Sequence, residues 1–257
     1  MTTGNMFYNN IDPTLLKLGS FEIRYYGIIY AAGFVIAYFM IKYLAKERKL
    51  GLKKDDAADM LFYILAGVVL GARAFYVLIY DPWFYFANPL RILMVWHGGL
   101  SFHGGLIGGM VACYLFCKKK KIGFYEMLDI CVVPLALGLA LGRIGNFLNG
   151  ELIGRITDVP WAVKFKGYDG FRHPSQIYES SKNFFIFFVL WFLRNKKLKK
   201  GFLFWLFIVM YSLLRFFIEF FREPDMQLGF IFLGLTMGQI LNAIMFFAGA
   251  YFMIKLK

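Results

Sequence analysis

The chain has 257 residues, 60% of them hydrophobic and 18% charged, and its 29 Lys and Arg against 16 Asp and Glu give a net charge of +13. Soluble domains carry about 45–50% apolar residues, so this excess, with a mean hydropathy of +0.58, excludes disorder and marks an integral membrane protein. Only 7 Pro and 26 Gly are present, which excludes collagen-like and low-complexity chains, and the placement of the charge between apolar runs sets nucleic-acid binding aside.

A hydrocarbon core of about 30 Å requires about 20 apolar residues of helix. Residues 1–21 hold polar residues and Pro13 where the apolar core of a cleavable leader would have to be, so none is expected. Seven spans follow, at about 22–44, 61–80, 102–117, 126–148, 177–193, 202–221 and 229–254. The third is short and the fifth is the least apolar. They predict an all-α bundle of seven transmembrane helices that forms one domain over 1–257. The one sizeable external segment, about 149–176, reads as a small cap.

Seventeen cations fall on one side: Lys42, Lys46, Arg48, Lys49, Lys53 and Lys54, then Lys118–Lys121, then Arg194, Lys196, Lys197, Lys199 and Lys200, and finally Lys255 and Lys257. The other side carries eight: Lys17, Arg24, Arg91, Arg155, Lys164, Lys166, Arg172 and Arg222. Positive charge stays on the cytoplasmic face, which predicts the N-terminus outside and the C-terminus inside. The excess charge then serves topology and contact with anionic lipid. Cys113, Cys117 and Cys131 fall at the reducing side and read as small packing residues, so any thiol chemistry outside needs a thiol from elsewhere.

A charge inside a span costs at least about 2.5–3.5 kcal/mol at the bilayer centre and usually marks function. Arg73, Arg143 and Arg215 break the rule in spans two, four and six. Each lies five to eight residues from the external end of its span, roughly 10 Å below the boundary. Tyr211, Arg215 and Glu219 share a helical face at i, i+4 spacing, and Asn146 follows Arg143 at i+3. His103 and Tyr26 open spans three and one at the same level. Snorkelling or pairing with a carboxylate explains such arginines in general, and Glu219 is a ready partner for Arg215. Arg73 and Arg143 have no evident intramembrane acid, which leaves an external anion as the economical partner. A phospholipid phosphate, which Arg grips bidentately, is the commonest at that depth.

The pairs Gly67/Gly71, Gly104/Gly108, Gly105/Gly109, Gly138/Gly142 and Gly234/Gly238 allow close helix approach. The run from His97 to Gly109 is glycine-dense enough for a loop that dips into the membrane beside a cavity. His97 and His173 read as interfacial. Neither a GxSxG elbow nor an HExxH pattern occurs, and three scattered His make a poor metal set, so no metal is expected. An arginine-lined site with a lone His and no nucleophile of its own suits group transfer to an atom brought by a second substrate. A lipid-handling transferase fits, with a lipid or anion transporter and a structural lipid-holding subunit as alternatives. A transporter needs a polar route onward to the cytoplasmic half, where spans one, three, five and seven are nearly free of charge.

Five stretches resemble, in order and along nearly the whole chain, the bacterial phosphatidylglycerol–prolipoprotein diacylglyceryl transferases. They are Ile23-Arg-Tyr-Tyr26-Gly-Ile-Ile-Tyr30, Gly98-Gly-Leu-Ser-Phe-His103-Gly-Gly-Leu-Ile-Gly-Gly109, the stretch from Gly142 through Arg143, Asn146, Asn149, Glu151 and Gly154 to Arg155, His173-Pro-Ser-Gln176-Ile-Tyr178-Glu179, and the stretch from Tyr211 through Arg215, Glu219, Arg222 and Glu223 to Asp225. The resemblance implies transfer of the diacylglyceryl group of phosphatidylglycerol to a cysteine thiol in a prolipoprotein signal peptide, the first step of lipoprotein maturation. A thioether forms and glycerol phosphate leaves, in the bacterial inner membrane with the site toward the outer leaflet and without metal or organic cofactor.

On that reading Arg143 and Arg215 stabilise the charge that builds on the departing phosphate. Asn146 donates to the same oxygens or fixes the headgroup. A thiol of pKa about 8.5 is only a few per cent thiolate at pH 7, so a base or nearby cation helps, with His103 and Tyr26 as the groups implied. Glu151, Gly154 and Glu219 form the site, Glu219 orienting Arg215. Arg73 and Tyr211 complete the expected substrate-binding set. Arg24 departs from the resemblance in the first stretch, and the short external segment 155–172 implies a small head.

Overall fold

The computed structural model describes residues 7–19, 21–223, 230–232 and 234–256. Lys257, the start of the seventh expected span at 229, and Pro224 and Asp225 at the end of the last family-like stretch lie outside these, as do residues 1–6 of the stretch in which no cleavable leader is expected. Among the described residues the α-helices are α1 (Tyr25–Glu47), α2 (Asp56–Phe75), α3 (Pro82–Ala87), α4 (Phe102–Lys120), α5 (Phe124–Asn149), α6 (Ser175–Leu193), α7 (Phe202–Ile218) and α8 (Met237–Lys255). A π-helical turn at Tyr76–Tyr80 prolongs α2. Among the described residues five helices are long and apolar enough to cross a membrane: Tyr25–Glu47, Asp56–Tyr80, Phe124–Asn149, Phe202–Phe221 and Met237–Lys255. The protein is thus an all-helical integral membrane protein.

The third and fifth expected spans are present as α4 and α6, each of 19 residues, but both are more polar than those five. Three lysines close α4, and Gln176, Glu179, Ser180, Lys182 and Asn183 fill the first half of α6. Three short two-stranded sheets add to the helices: β1 (Phe7–Asn9) with β4 (Val163–Phe165), β2 (Thr14–Leu18) with β3 (Phe21–Arg24), and β5 (Phe230–Phe232) with β6 (Leu235–Thr236). The β2–β3 hairpin takes residues 22–24 out of the first expected span, because Glu22 pairs there with Lys17 and Arg24.

The chain divides into two compact units, Tyr38–Met127 and Met1–Ala37 with Leu128–Lys257. In the first, α2 packs on α4 through the glycines seen in the sequence. A Cβ on Gly67 would come 2.5 Å from the Ala112 Cβ and from the Gly108 carbonyl oxygen, and one on Gly108 would come 2.9 Å from the Gly71 Cα. Only bare backbone permits that approach. The suspected dip into the membrane reduces to residues 98–101, where Gly98 and Gly99 take positive φ. Ser101 then caps α4, its side chain accepting from the Gly104 N–H, while its own N–H donates to the Ala72 carbonyl at 3.0 Å. The rest of the glycine run is helix.

In the second unit, buried Asp129 of α5 accepts from the N–H groups of Gly201 and Phe204 at 2.8 and 2.9 Å and so caps α7 from a neighbouring helix. The Ser180 hydroxyl of α6 donates to the Ala140 carbonyl of α5 at 2.9 Å. Thr236 and Gln239 form a capping box that starts α8. The segment after α5 is tied down by β1–β4 pairing and by a small core of Ile153, Val163 and Phe165 with Phe147 packed against it.

Candidate active site

Three helices of the second unit bring their inward polar side chains to one carboxylate. Glu179 on α6 is 2% exposed. Its Oε2 accepts from Lys182 Nζ at 2.7 Å, and its Oε1 lies 3.1 Å from Arg215 Nε of α7. Arg143 Nε of α5 stands at 3.9 Å from Oε2, in Coulombic reach but beyond hydrogen-bond length. Arg215 turns its Nη1 to the Glu219 carboxylate, one turn on in its own chain, and Arg222 Nη1 lies 3.9 Å from that same carboxylate. Thr236 Oγ1 donates to Glu219 Oε1 at 3.2 Å. Gly238 leaves room for it, since a Cβ there would sit 2.9 Å from that oxygen. The Lys182 ammonium rests 3.9 Å from the centroid of the Tyr211 ring.

Within this ion-paired group four cations, Arg143, Lys182, Arg215 and Arg222, face two carboxylates, Glu179 and Glu219. Arg143, Lys182 and Arg215 alone outnumber the two carboxylates by one. Arg215 is locked between the two acids with a side chain only 8% exposed, whereas the Arg143 side chain is 22% exposed and makes no closer pair among the described residues. A buried excess of positive charge calls for an anion. Arg143 is the cation best placed to meet one.

Residues around α5 extend the site. Asn146, one turn after Arg143, donates to Glu151 Oε2 at 3.4 Å, and Asn149 donates to Glu151 Oε1 at 3.2 Å. The Gln176 amide of α6 holds the Glu151 carbonyl at 2.6 Å. Tyr26 lies against α5 at Gly145, where a Cβ would come 2.9 Å from the ring, and its hydroxyl donates to Tyr30 at 2.8 Å. Gly154 acts through its backbone: its N–H donates to the His173 carbonyl at 3.0 Å, and Arg172 donates to its carbonyl at 3.1 Å. A Cβ on Gly154 would strike the His173 Cβ and the Phe221 carbonyl at 2.6 Å. Next to it, the Arg155 side chain donates to the Arg222 carbonyl at 2.8 Å, so this segment holds in place the turn that carries Glu219 and Arg222. His173 meets the Tyr178 hydroxyl at 3.1 Å, and burial pushes its imidazole below the usual range, which keeps it neutral at neutral pH.

Comparison with known proteins decides the family. Residues 13–255 match the model of the family described as prolipoprotein diacylglyceryl transferase. The chain is 46% identical to a phosphatidylglycerol–prolipoprotein diacylglyceryl transferase of Geobacter sulfurreducens, over 95% of each chain. Proteins of the same name from Bordetella parapertussis and Rickettsia bellii are 45% and 40% identical over 95% and 97% of this chain and 94% and 97% of their own. The chain belongs to the prolipoprotein diacylglyceryl transferase family.

Of the site residues expected from sequence, the unit that holds the Glu179 group contains Tyr26, Arg143, Asn146, Glu151, Gly154, Tyr211, Arg215 and Glu219; Arg73 and His103 belong to the other. In this family member His103 sits, exposed, in the first turn of α4. Arg73 is 6% exposed and aims its guanidinium at backbone. It donates to the carbonyls of Ile92 at 2.8 Å, Gly98 at 2.7 Å, Gly99 at 3.0 Å and Met94 at 3.4 Å, and also to that of Arg91. Its face lies 4.9 Å from the Tyr85 ring. The sequence reading weighed acids and lipid phosphate as its partners. The structure supplies a third kind, the carbonyls of the connection from α3 to α4.

Two residues were missed. Glu179 stands in a family-like stretch without an assigned role, and it is the acid nearest Arg143. Lys182 went unremarked. A signal was present: Gln176, Glu179, Ser180 and Asn183 recur at i, i+3, i+4 and i+7, a polar stripe on an expected span.

Proposed function

We propose that the protein transfers the diacylglyceryl group of phosphatidylglycerol to the thiol of the lipobox cysteine of prolipoproteins, forming a thioether and releasing glycerol phosphate. The chain is a transferase of lipoprotein biosynthesis, and family membership over nearly its whole length supports this reading. The observation that carries the mechanism is the ion-paired group in which Arg143, Lys182 and Arg215 share two carboxylates, with Arg143 open at its edge.

The lipid phosphodiester brings one negative charge, and a second develops as the diacylglyceryl carbon–oxygen bond breaks and the phosphate becomes a monoester. Arg143 grips the phosphate, and Arg215, held rigid by Glu179 and Glu219, supplies a preorganised field for the charge that appears only on the way to products. Asn146, anchored by Glu151, fixes the glycerol headgroup. The attacking thiol arrives on the signal peptide, and its proton passes to a polar group, for which the family-like stretches offer Tyr26 and His103. Neither metal nor organic cofactor enters the reaction.

The same reading has α4 and α6 cross the bilayer with the five more apolar helices. It gives seven spans in one catalytic domain, the N-terminus outside and the C-terminus cytoplasmic, in the bacterial inner membrane with the site facing the outer leaflet. The partners are phosphatidylglycerol, prolipoprotein signal peptides and surrounding lipid, with no nucleic acid. The test is direct. Purified protein is incubated in phosphatidylglycerol micelles with a synthetic signal peptide bearing the cysteine, and the peptide is weighed by mass spectrometry. A diacylglyceryl increment that disappears when the cysteine is Ser establishes the reaction. An unchanged peptide, from protein shown to be folded and lipid-bound, returns the arginines to lipid or anion transport.

A further inference from the structure

Lysine is almost never fully buried unless it is paired, and it is rarer still on a helix facing the interior of a membrane protein. Lys182 is 5% exposed, on a helix that also carries the exposed Phe185, Phe188 and Phe192. Its ammonium meets the Glu179 Oε2 at 2.7 Å and sits 3.9 Å from the centroid of the Tyr211 ring. Glu179 therefore serves three cations with two oxygens. Lys182 donates a hydrogen bond to Oε2, Arg215 Nε stands beside Oε1 as an ion pair without hydrogen-bonding it, and Arg143 remains 3.9 Å from Oε2.

That gap needs a cause. A guanidinium beside a carboxylate in a poorly solvated interior closes to a bidentate contact when nothing else holds the oxygens. Lys182 is what holds Oε2. An ammonium is compact, cannot match both oxygens at once, and here is seated on an aromatic face. We infer that Lys182 is a positioning residue that keeps Arg143 open for the lipid phosphate by occupying the carboxylate on which Arg143 would otherwise close. The inference rests on the reading of Arg143 as the phosphate ligand. It also accounts for the charge excess, since without Lys182 the ion-paired group would hold one positive charge less.

The test uses the full-length protein in detergent micelles with phosphatidylglycerol titrated at saturating cysteine peptide, reading KM for the lipid, kcat and the thermal midpoint. Loss of one charge-assisted contact corresponds to about 1.5–3 kcal/mol, so Lys182→Met should raise KM about tenfold or more, with kcat changed by less than about threefold. Lys182→Arg, which still occupies Oε2, should keep KM near wild type. The double variant Glu179→Gln/Lys182→Met removes the carboxylate on which Arg143 would close, so its KM should fall back toward wild type even though its kcat is lowered by the loosened Arg215. A folded Lys182→Met with wild-type KM overturns the inference, as does one whose kcat and thermal midpoint fall together while KM stays put. Should Lys182→Met fail to fold, a folded double variant with KM raised about tenfold overturns it equally. Arg143→Ala separates the two readings. Raised KM there with wild-type KM in Lys182→Met sinks the Lys182 inference alone, whereas unchanged KM and turnover in Arg143→Ala bring down the phosphate reading and this inference with it.

Discussion

Arg73 and Arg215 are both arginines buried in apolar helices, 6% and 7% exposed, yet the protein satisfies them in opposite ways. Arg73 is surrounded by five backbone carbonyls and a tyrosine face. Carbonyl dipoles use every direction in which its guanidinium can donate, and the result is a tied connection between α3 and α4. Arg215 is paired with two carboxylates on either side, in a group where a third arginine and a lysine compete for the same oxygens. Carbonyl dipoles fill the Arg73 guanidinium's hydrogen-bonding capacity, whereas in the other group the cations outnumber the carboxylates they share. The first arrangement ties a loop; on the proposed reading the second receives the lipid phosphate.

The sharpest way to break this contrast is at the carboxylate-paired site. Arg215→Ala leaves Glu179 and Glu219 short of a buried partner, so turnover should fall by about 10²–10³ and stability by about 3–5 kcal/mol. Arg143→Ala, at the open edge, should lose turnover to a similar degree with a much smaller shift in the thermal midpoint. Peptide lipidation and thermal melts on the same preparations check both. Equal destabilisation by the two would erase the distinction between locked and open arginine.

Arg73→Lys is the next largest. One ammonium cannot reach carbonyls spread from residue 91 to 99, so the thermal midpoint should drop by an amount equivalent to about 2–4 kcal/mol, each lost charge-assisted bond counting about 1.5–3. Activity should fall only with the folded fraction. A KM for phosphatidylglycerol that rises while the midpoint holds would restore the lipid-phosphate role expected from sequence. Gly154→Ala is a smaller perturbation, forcing a methyl against the His173 Cβ and the Phe221 carbonyl. About 1–3 kcal/mol of overpacking should appear, with reduced turnover because the turn bearing Glu219 and Arg222 moves.

The smallest effect is in pH. Burial lowers the His173 pKa in the folded protein, so between that value and the unfolded value of about 6.5 the unfolded chain binds more protons. The stability this histidine contributes is present above about pH 6.5 and is lost as pH falls through its folded pKa. Thermal midpoints measured from pH 7.5 down to 5 should decline, and the decline should flatten in His173→Gln. An unchanged slope would show that His173 is not held neutral by the cap.

Some of the site is local enough to be read from spacing. Arg143 and Asn146 lie one turn apart on α5, and Tyr211, Arg215 and Glu219 fall on successive turns, because the helix period of 3.6 residues is a property of the backbone. The glycine pairs announced the close packing of α2 on α4 for the same reason. The partners of the cations were out of reach. Glu179 comes to Arg143 and Arg215 from another helix, and the Arg73 carbonyls come from a connection 18 to 26 residues further on.

The sequence by itself determined that this is a helical membrane protein, which residues share a helical face, and to which family of chemistry its motifs belong. Each follows from composition, period or a contiguous run of residues. Only the tertiary structure decided that one arginine is filled by carbonyls, one is locked by acids and one is left open. Those outcomes depend on which oxygens lie within about 3 Å of a guanidinium, a distance set by how separate helices and loops pack and encoded in no single stretch of chain.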